Sequence, residues 1–156
     1  MAVAKGIGGG FPMGACLATE EASEHMTPGT HGTTFGGNPL AMAVGNAVLD
    51  VVLEDGFLEH VQQMGLVLKQ NLAELVDRLP ECCEEVRGYG LLQGIKCKTP
   101  NAEIVAALRQ HGLLVVPAGD NVIRFAPPLV IDADGLAEVK QVATEALQSY
   151  VQNASN

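Results

Sequence analysis

The sequence predicts an α/β chain in two parts. Apolar residues recur at helical spacing over residues 57–79 and again over about 133–151. Between them, residues 84–88, 91–97, 113–116 and 121–125 shift toward a period of two and are punctuated by glycine and proline, which predicts strands. Ahead of both lie two glycine-rich runs, one beginning at Lys5 and one over residues 28–40, which predict loops joined to short elements.

Residues 14–18 are short, apolar and follow a proline, so a strand is expected there. Thr19 is placed to cap a brief helix over 20–25, with Glu20 and Glu21 favourable in its first turn. Asn38 caps the next helix with Pro39 at its first position. Leu40, Ala43, Val44, Ala47, Val48 and Val51 would form the inward face of that helix. Glu54-Asp55-Gly56 interrupts the pattern, and a domain boundary is expected there, giving parts 1–55 and 56–156.

The long helix that follows carries Val61, Leu68 and Leu75 one heptad apart, with Leu72 and Leu79 beside them, and Pro80 ends it. At this length the row reads as a core face rather than a coiled coil. Gly88, Gly90 and Gly94 mark turns or bulges. A helix over 101–111 turns Ile104, Ala107 and Leu108 inward, with Gly112 just past its end. Pro117-Ala118-Gly119-Asp120 is expected to turn between the last two strands, and Pro127-Pro128 stops the second. The final helix has Leu136, Val139, Ala143, Leu147 and Tyr150 on one face, and residues 152–156 read as a frayed end.

A net charge of −9 and a pI near 4.7 argue against nucleic acid, which selects basic faces. No apolar run approaches the roughly 20 residues of a membrane helix, and no basic segment followed by an apolar core opens the chain. A soluble, cytoplasmic protein is expected. Cys16, Cys82, Cys83 and Cys97 form no C-x-x-C pair and have no histidine cluster beside them, so reduced thiols and no metal site are expected.

Lys5 is followed by five glycines within nine residues. Such a lysine can be a phosphate clamp, a covalent nucleophile or a solvated surface residue, and the last is common. The phosphate-loop motifs do not fit: Lys5 is followed by Gly6-Ile7 rather than Ser or Thr, and Phe11 and Met13 stand where a dinucleotide loop needs glycine. The run Pro28-Gly29-Thr30-His31-Gly32-Thr33-Thr34-Phe35-Gly36-Gly37-Asn38-Pro39 gathers hydroxyls and free N–H groups before a helix start, which suits a phosphate.

Taken in order, Ala4-Lys5-Gly6 with its glycines, Gly32-Thr33-Thr34-Phe35-Gly36-Gly37-Asn38-Pro39, Glu85-Val86-Arg87-Gly88-Tyr89-Gly90-Leu91-Leu92 and Val122-Ile123-Arg124-Phe125-Ala126-Pro127-Pro128-Leu129 resemble the class III pyridoxal-phosphate aminotransferases, and most closely their acetylornithine-specific members. The resemblance covers nearly the whole chain. It implies a fold-type-I transferase fragment: the end of the cofactor-binding large domain over 1–55, then a small C-terminal α+β domain over 56–156. It implies pyridoxal 5'-phosphate as cofactor, amino acid and 2-oxo acid substrates, and a homodimer with active sites at the subunit interface. The implied reaction is amino transfer between N2-acetyl-L-ornithine and 2-oxoglutarate in arginine biosynthesis. Ornithine, succinylornithine or 4-aminobutyrate are alternative donors, and a catalytically incomplete fragment is the other alternative.

Residue by residue, the resemblance makes Lys5 the Schiff-base lysine that later shuttles a proton. Ala2, Val3, Ala4 and Ile7 are expected to give it the apolar surroundings a neutral amine needs. Thr34 matches the threonine that bonds the cofactor phosphate of the neighbouring subunit, against a plain turn-capping role. Thr33 matches a position near bound substrate. Arg124 matches the small-domain arginine that grips a substrate carboxylate or pairs with a glutamate gate, against a surface ion pair. His31 is expected to stabilise its loop, Arg87 has no assigned role, and His25, His60 and His111 carry no chemistry. The aromatic residue that stacks on the cofactor, the aspartate at its ring nitrogen and the main substrate arginine would all lie upstream, and the chain is expected to be the C-terminal portion of a longer protein.

Overall fold

The computed structural model describes residues 1–154, which divide into two compact units, Met1–Leu58 and a second that begins at Glu59. Each has its own sheet.

In the first unit, β1 (Ala2–Ala4) pairs antiparallel with β2 (Gly14–Cys16), Val3 opposite Ala15. The sequence pattern anticipated β2 but not β1, and β2 stops two residues short of the expected end. Met1 and Leu17 add one more rung, Leu17 N donating to Met1 O at 2.8 Å. A single 3-10 turn (Lys5–Gly8) leaves β1. Helix α1 (Glu20–Ser23) is capped as expected, Ala22 N donating to Thr19 Oγ1 at 3.2 Å, but ends before residue 25 because Met26 N turns back to Ser23 O.

Helix α2 (Pro39–Val52) starts with the predicted cap, Ala41 N donating to Asn38 Oδ1 at 2.9 Å. Its buried line is not the one expected. Ala41 and Gly45 are buried with Val44 and Val48 half-buried beside them, whereas Leu40, Ala43, Ala47 and Val51 face outward. The line is set by small residues. A Cβ on Gly45 would come 2.8 Å from Met13 Cε, so Met13 lies directly against the helix backbone there.

Helix α3 (Phe57–Arg78) lies in the second unit but for its first two residues. It is followed by β3 (Cys83–Tyr89), β4 (Leu92–Cys97), α4 (Asn101–Gln110), β5 (Val116–Ala118), β6 (Val122–Phe125) and α5 (Ala133–Ala154). The sheet is antiparallel in the order β3-β4-β6-β5. Leu68, Leu72, Leu75 and Leu79 from α3, Ile104 and Leu108 from α4, and Leu136, Ala143 and Leu147 from α5 form one core with Ile95, Ile123 and Phe125 of the sheet. All three helices therefore share a core with one face of the sheet, while the other face carries the alternate, more exposed residues.

Four expectations in this unit change. Residues 113–115 are not strand: Leu113 N closes the end of α4 onto Leu108 O at 3.0 Å, so pairing begins at Val116. Pro117 and Ala118 belong to β5, and the turn tightens to residues 119–121, with Asp120 and Asn121 both in the left-handed region. Gly88 and Gly94 are neither turn nor bulge but paired strand residues, and the register shift lies between Cys83 and Glu85. Helix α5 continues through Ala154 rather than fraying at 152, while residues 155 and 156 lie outside the described part.

Cys82, Cys83 and Cys97 are buried free thiols, and Cys16 is exposed. The hydrogen bond with Cys82 and burial push the Cys83 thiol up, and burial pushes Cys97 up to about 11, so both stay protonated at neutral pH. Among the described residues no helix is long and apolar enough to cross a membrane.

Candidate active site

Lys5 stands where β1 ends, with φ at +58°. Only Lys5, Asp120 and Asn121 among the described non-glycine residues have positive φ. For a side chain with a Cβ this conformation costs about 1–2 kcal/mol, and such outliers gather at functional sites. The strand pairing of Ala4 with Gly14 fixes one side of Lys5, and Gly9 N donating to Gly6 O at 3.0 Å fixes the other. A Cβ on Gly6 would meet nothing within 4 Å, so the space beside the lysine backbone is open.

The expected apolar surroundings do not form within this unit. Val3 and Ile7 are half-buried, but Ala2, Ala4 and Lys5 itself are exposed. These short side chains lie along a two-stranded ribbon, which is too narrow to enclose an amine.

The threonine loop is a chain of local turns. Thr30 Oγ1 donates to Thr27 O at 2.7 Å, Gly36 N donates to Thr33 Oγ1 at 3.1 Å, and Asn38 Nδ2 donates to Phe35 O at 2.7 Å. Thr33 thus supports the loop, its hydroxyl hydrogen still free to donate. Thr34 is exposed and makes no hydrogen bond among the described residues, and His31 is exposed in the same loop. This set fits a phosphate-bearing aldehyde cofactor by donor chemistry: a primary amine on an open, glycine-flanked backbone, and a loop of hydroxyls and N–H groups leading into a helix N-terminus.

Arg124 lies in β6, directly opposite Gly94 on one side and Val116 on the other. It points away from Ile123 and Phe125, which are buried, and is itself exposed. No carboxylate within ion-pair reach meets it among the described residues, and strand alternation puts its apolar neighbours on the other face. Arg87, left without a role by the sequence, is the centre of an ion network. Its Nε donates to Glu85 at 2.5 Å and its Nη1 to Asp120, while Lys96 Nζ lies 3.5 Å from the same Asp120 carboxylate. The Arg87 guanidinium and then Lys96 hold the Asp120 carboxyl below its ordinary range. Among the described residues the rings of His60 and His111 hydrogen-bond to backbone carbonyls, Ile131 O at 2.8 Å and Ala107 O at 2.9 Å.

The family described as aminotransferase class-III matches residues 1–147. The chain is 67% identical over 131 residues to acetylornithine aminotransferase of Mesorhizobium japonicum, covering 84% of this chain and 33% of that protein. It is 64% identical over 147 residues to acetylornithine aminotransferase of Agrobacterium fabrum, covering 92% of this chain and 37% of that one. Among solved structures, acetylornithine aminotransferase from Elizabethkingia anophelis superposes with a TM-score of 0.85 at 34% identity, over 95% of this chain and 40% of that one. Plasmodium falciparum ornithine delta-aminotransferase superposes with a TM-score of 0.86 at 31% identity, over 97% and 40%. The chain thus spans between 33% and 40% of the length of these four proteins.

Proposed function

The chain belongs to the class-III aminotransferase family, and from that premise we propose that it serves amino transfer between N2-acetyl-L-ornithine and 2-oxoglutarate, with pyridoxal 5'-phosphate as cofactor. The observation that carries the reading is Lys5: a primary amine held on left-handed backbone at the head of a glycine-rich turn, in a chain 67% identical to a protein named for that reaction. The donor N2-acetylornithine is favoured over ornithine by the names of the relatives at 67% and 64% identity.

On this reading the first unit is the end of a fold-type-I cofactor-binding domain and the second is the small C-terminal domain. When bound, the cofactor would supply an electron sink for negative charge at the substrate carbon that bears the reacting amine, Cδ in N2-acetylornithine and Cα in the amino acid formed from 2-oxoglutarate. Lys5 Nζ is its attachment point. Displaced by the substrate amine, the same Nζ as a neutral amine would take the proton from the carbon that bears that amine and deliver it to the cofactor carbon to which Lys5 had been attached. A lysine is ordinarily protonated up to a pKa of about 10.4, so the amine needs a drier setting than the exposed one in the first unit. The rest of the length found in relatives would supply it. Thr34 Oγ1 donates to the cofactor phosphate across the interface of a homodimer, Thr33 supports the loop beside the substrate, and Arg124 takes a substrate carboxylate in a two-point grip. The three buried reduced thiols are compatible with the cytoplasm.

The test is to add pyridoxal 5'-phosphate to the protein, reduce with borohydride and map the modified peptide. Stoichiometric label on Lys5, lost in Lys5→Ala, is expected. Label on Lys69, Lys96, Lys98 or Lys140 instead would overturn the assignment. Transfer assayed with N2-acetylornithine and with ornithine then decides the donor.

A further inference from the structure

Cys82, Cys83 and Cys97 are buried thiols of the second unit that the proposed amino transfer does not use. Adjacent residues of a strand point to opposite faces, yet the first two sulfurs meet. The cause is the turn between α3 and β3. Leu79 O accepts from Cys82 N at 3.2 Å and from Cys83 N at 3.0 Å, and this double contact turns both side chains inward before the strand's alternation begins. Their sulfurs lie 3.7 Å apart and share a hydrogen bond. Cys97 stands opposite Cys83 in the β3–β4 ladder, but its own Sγ donates to Ile95 O at 3.5 Å.

The pair is thinly covered. Cys82 and Cys83 are 0% and 1% exposed, but their chain neighbours Pro80, Glu81 and Glu84 are exposed, as is Lys98. Two hydrogen bonds close the cover, Lys98 N donating to Cys82 O at 2.9 Å and Lys98 Nζ to Pro80 O at 2.6 Å. The two thiols are also unlike. The hydrogen bond with Cys83 holds the Cys82 thiol below its ordinary value of 9.0, and the Lys98 charge acts the same way, while Cys83 is pushed up. The thiolate is the nucleophile of cysteine chemistry, so Cys82 is the thiol that attacks and Cys83 the one that follows. A disulfide adds no atom, so it fits a pair packed in the core.

We propose that Cys82 and Cys83 are a peroxide-responsive dithiol that closes to a disulfide between neighbouring residues. The oxidant is hydrogen peroxide, a molecule little larger than water, admitted when the turn at residues 79–83 opens. Cys82 Sγ, as thiolate, attacks one peroxide oxygen. The O–O bond breaks, hydroxide leaves and takes up a proton to become water, and Cys82 becomes a sulfenic acid. Cys83 Sγ then attacks Cys82 Sγ, which forms the S–S bond and releases a second water. In sum the two thiols lose two hydrogens with their electrons, and one peroxide becomes two waters. The sulfurs must close from 3.7 Å to about 2.05 Å, so the peptide between them turns and the bonds to Leu79 O and from Lys98 N give way. Neighbouring Cα atoms are about 3.8 Å apart, closer than the roughly 4.4–6.8 Å of ordinary disulfides, so thiols reduce the new bond readily and the change is reversible.

The experiment treats the 156-residue chain, carrying Cys16→Ser to remove the exposed thiol, with hydrogen peroxide in native buffer, then unfolds, alkylates and digests it with trypsin. Cys82 and Cys83 fall in one peptide, residues 79–87, and Cys97 in another, residues 97–98. Expected is a 79–87 peptide two hydrogens lighter and free of alkyl groups, restored by dithiothreitol, with 97–98 fully alkylated. Cys83→Ser should leave a sulfenic acid on Cys82 that dimedone traps, and Cys82→Ser should lower trapping at Cys83 at least fivefold below that. In the oxidised chain, amide exchange at Lys98 and Cys83 should be at least threefold faster. Oxidation seen only in urea, two alkyl groups remaining on 79–87, a link between 79–87 and 97–98, or equal trapping in the two serine variants would overturn the dithiol. Unchanged exchange at Lys98 and Cys83 in the oxidised chain would overturn its coupling to the turn.

Discussion

The side chain of Asn121 caps helix α4 from a distance of twenty residues: its Oδ1 accepts from Asn101 N at 2.8 Å. Its Nδ2 donates to Cys97 O at 2.7 Å and Thr99 O at 2.8 Å, while Asn101 Nδ2 returns to Ala118 O and Val122 O. The two asparagines thus clasp the turn between β5 and β6 to the exit of β4. Asn121→Ala removes three hydrogen bonds and leaves an alanine at φ +56°. With net losses of about 1 kcal/mol per bond and about 1 kcal/mol for left-handed alanine, the second unit should lose about 2–4 kcal/mol in urea unfolding. A loss under about 0.5 kcal/mol, within the scatter of surface changes, would mean that the clasp is not holding the turn.

Gly65 sits in the middle of α3, where helix propensity alone says alanine should be better by about 1 kcal/mol. The opposite sign is expected. A Cβ at Gly65 would lie 2.7 Å from the carbonyl carbon of Gly90 and 2.8 Å from its Cα and O, all backbone atoms of the β3–β4 turn. Neither neighbour can rotate away, so helix and hairpin must separate, at the overpacking cost of about 1–3 kcal/mol. Gly65→Ala should therefore lower the unfolding midpoint, and a raised midpoint would show that the hairpin yields freely.

Lys140 Nζ on α5 reaches Glu74 on α3 at 2.6 Å, and this bond holds the Glu74 carboxyl below its ordinary value of 4.5. A carboxylate whose folded pKa is depressed adds stability that is complete above the ordinary value and fades as pH falls through the lower one. Lys140→Met should raise the Glu74 pKa, followed by carboxyl-carbon NMR. The difference in stability between variant and parent should be largest above pH 4.5 and shrink toward acid. A difference constant with pH would assign it to lost packing of the lysine stem instead.

Much of this architecture was legible because helices and strands bury opposite periodicities. Leu68, Leu72 and Leu75 declared α3, and Asn38-Pro39 declared the start of α2. What periodicity could not reveal was which face of α2 is covered, since the helix is apolar nearly all round and a glycine, Gly45, marks the contact. β1 was hidden because three small apolar residues carry no pattern of their own. Among the candidate functional residues, Lys5, Thr33, Thr34 and Arg124 were visible as motif residues, but the Arg87–Asp120 bond in the second unit joins residues thirty-three apart and no local spacing encodes it. The one available signal was Asp120-Asn121, a pair of the residues that best tolerate left-handed backbone.

Thr33 and Thr34 should separate on mutation although they are neighbours. Thr33→Ala removes the acceptor for Gly36 N and should loosen the loop, seen as faster amide exchange at Gly36. Thr34→Ala touches no hydrogen bond among the described residues, so the loop should be unchanged. In the assembled enzyme it should weaken pyridoxal phosphate binding by about 1.5–3 kcal/mol, the range for a hydrogen bond to a charged group. Equal cofactor affinity in Thr34→Ala would remove its role at the phosphate.

Lys5 carries strain that can be separated from its chemistry. At φ +58° a glycine is at home, whereas alanine keeps the conflict between Cβ and the carbonyl that lysine already bears. Lys5→Gly and Lys5→Ala both remove the amine, so both should abolish borohydride labelling at this position. They should differ in the β1–β2 ribbon. Glycine relieves about 1–2 kcal/mol of left-handed cost and gives back about 0.5–1 kcal/mol in chain entropy, so the ribbon should open less readily in the glycine variant. A net advantage of about 0.7 kcal/mol over alanine corresponds to about threefold slower amide exchange at Val3 and Ala15 where exchange follows local opening. If alanine and glycine exchange alike, the positive φ is not strained and the lysine is held there at no energetic cost. If glycine protects the ribbon while labelling is lost, the backbone at residue 5 is being kept in an unfavourable conformation for the sake of the amine it presents.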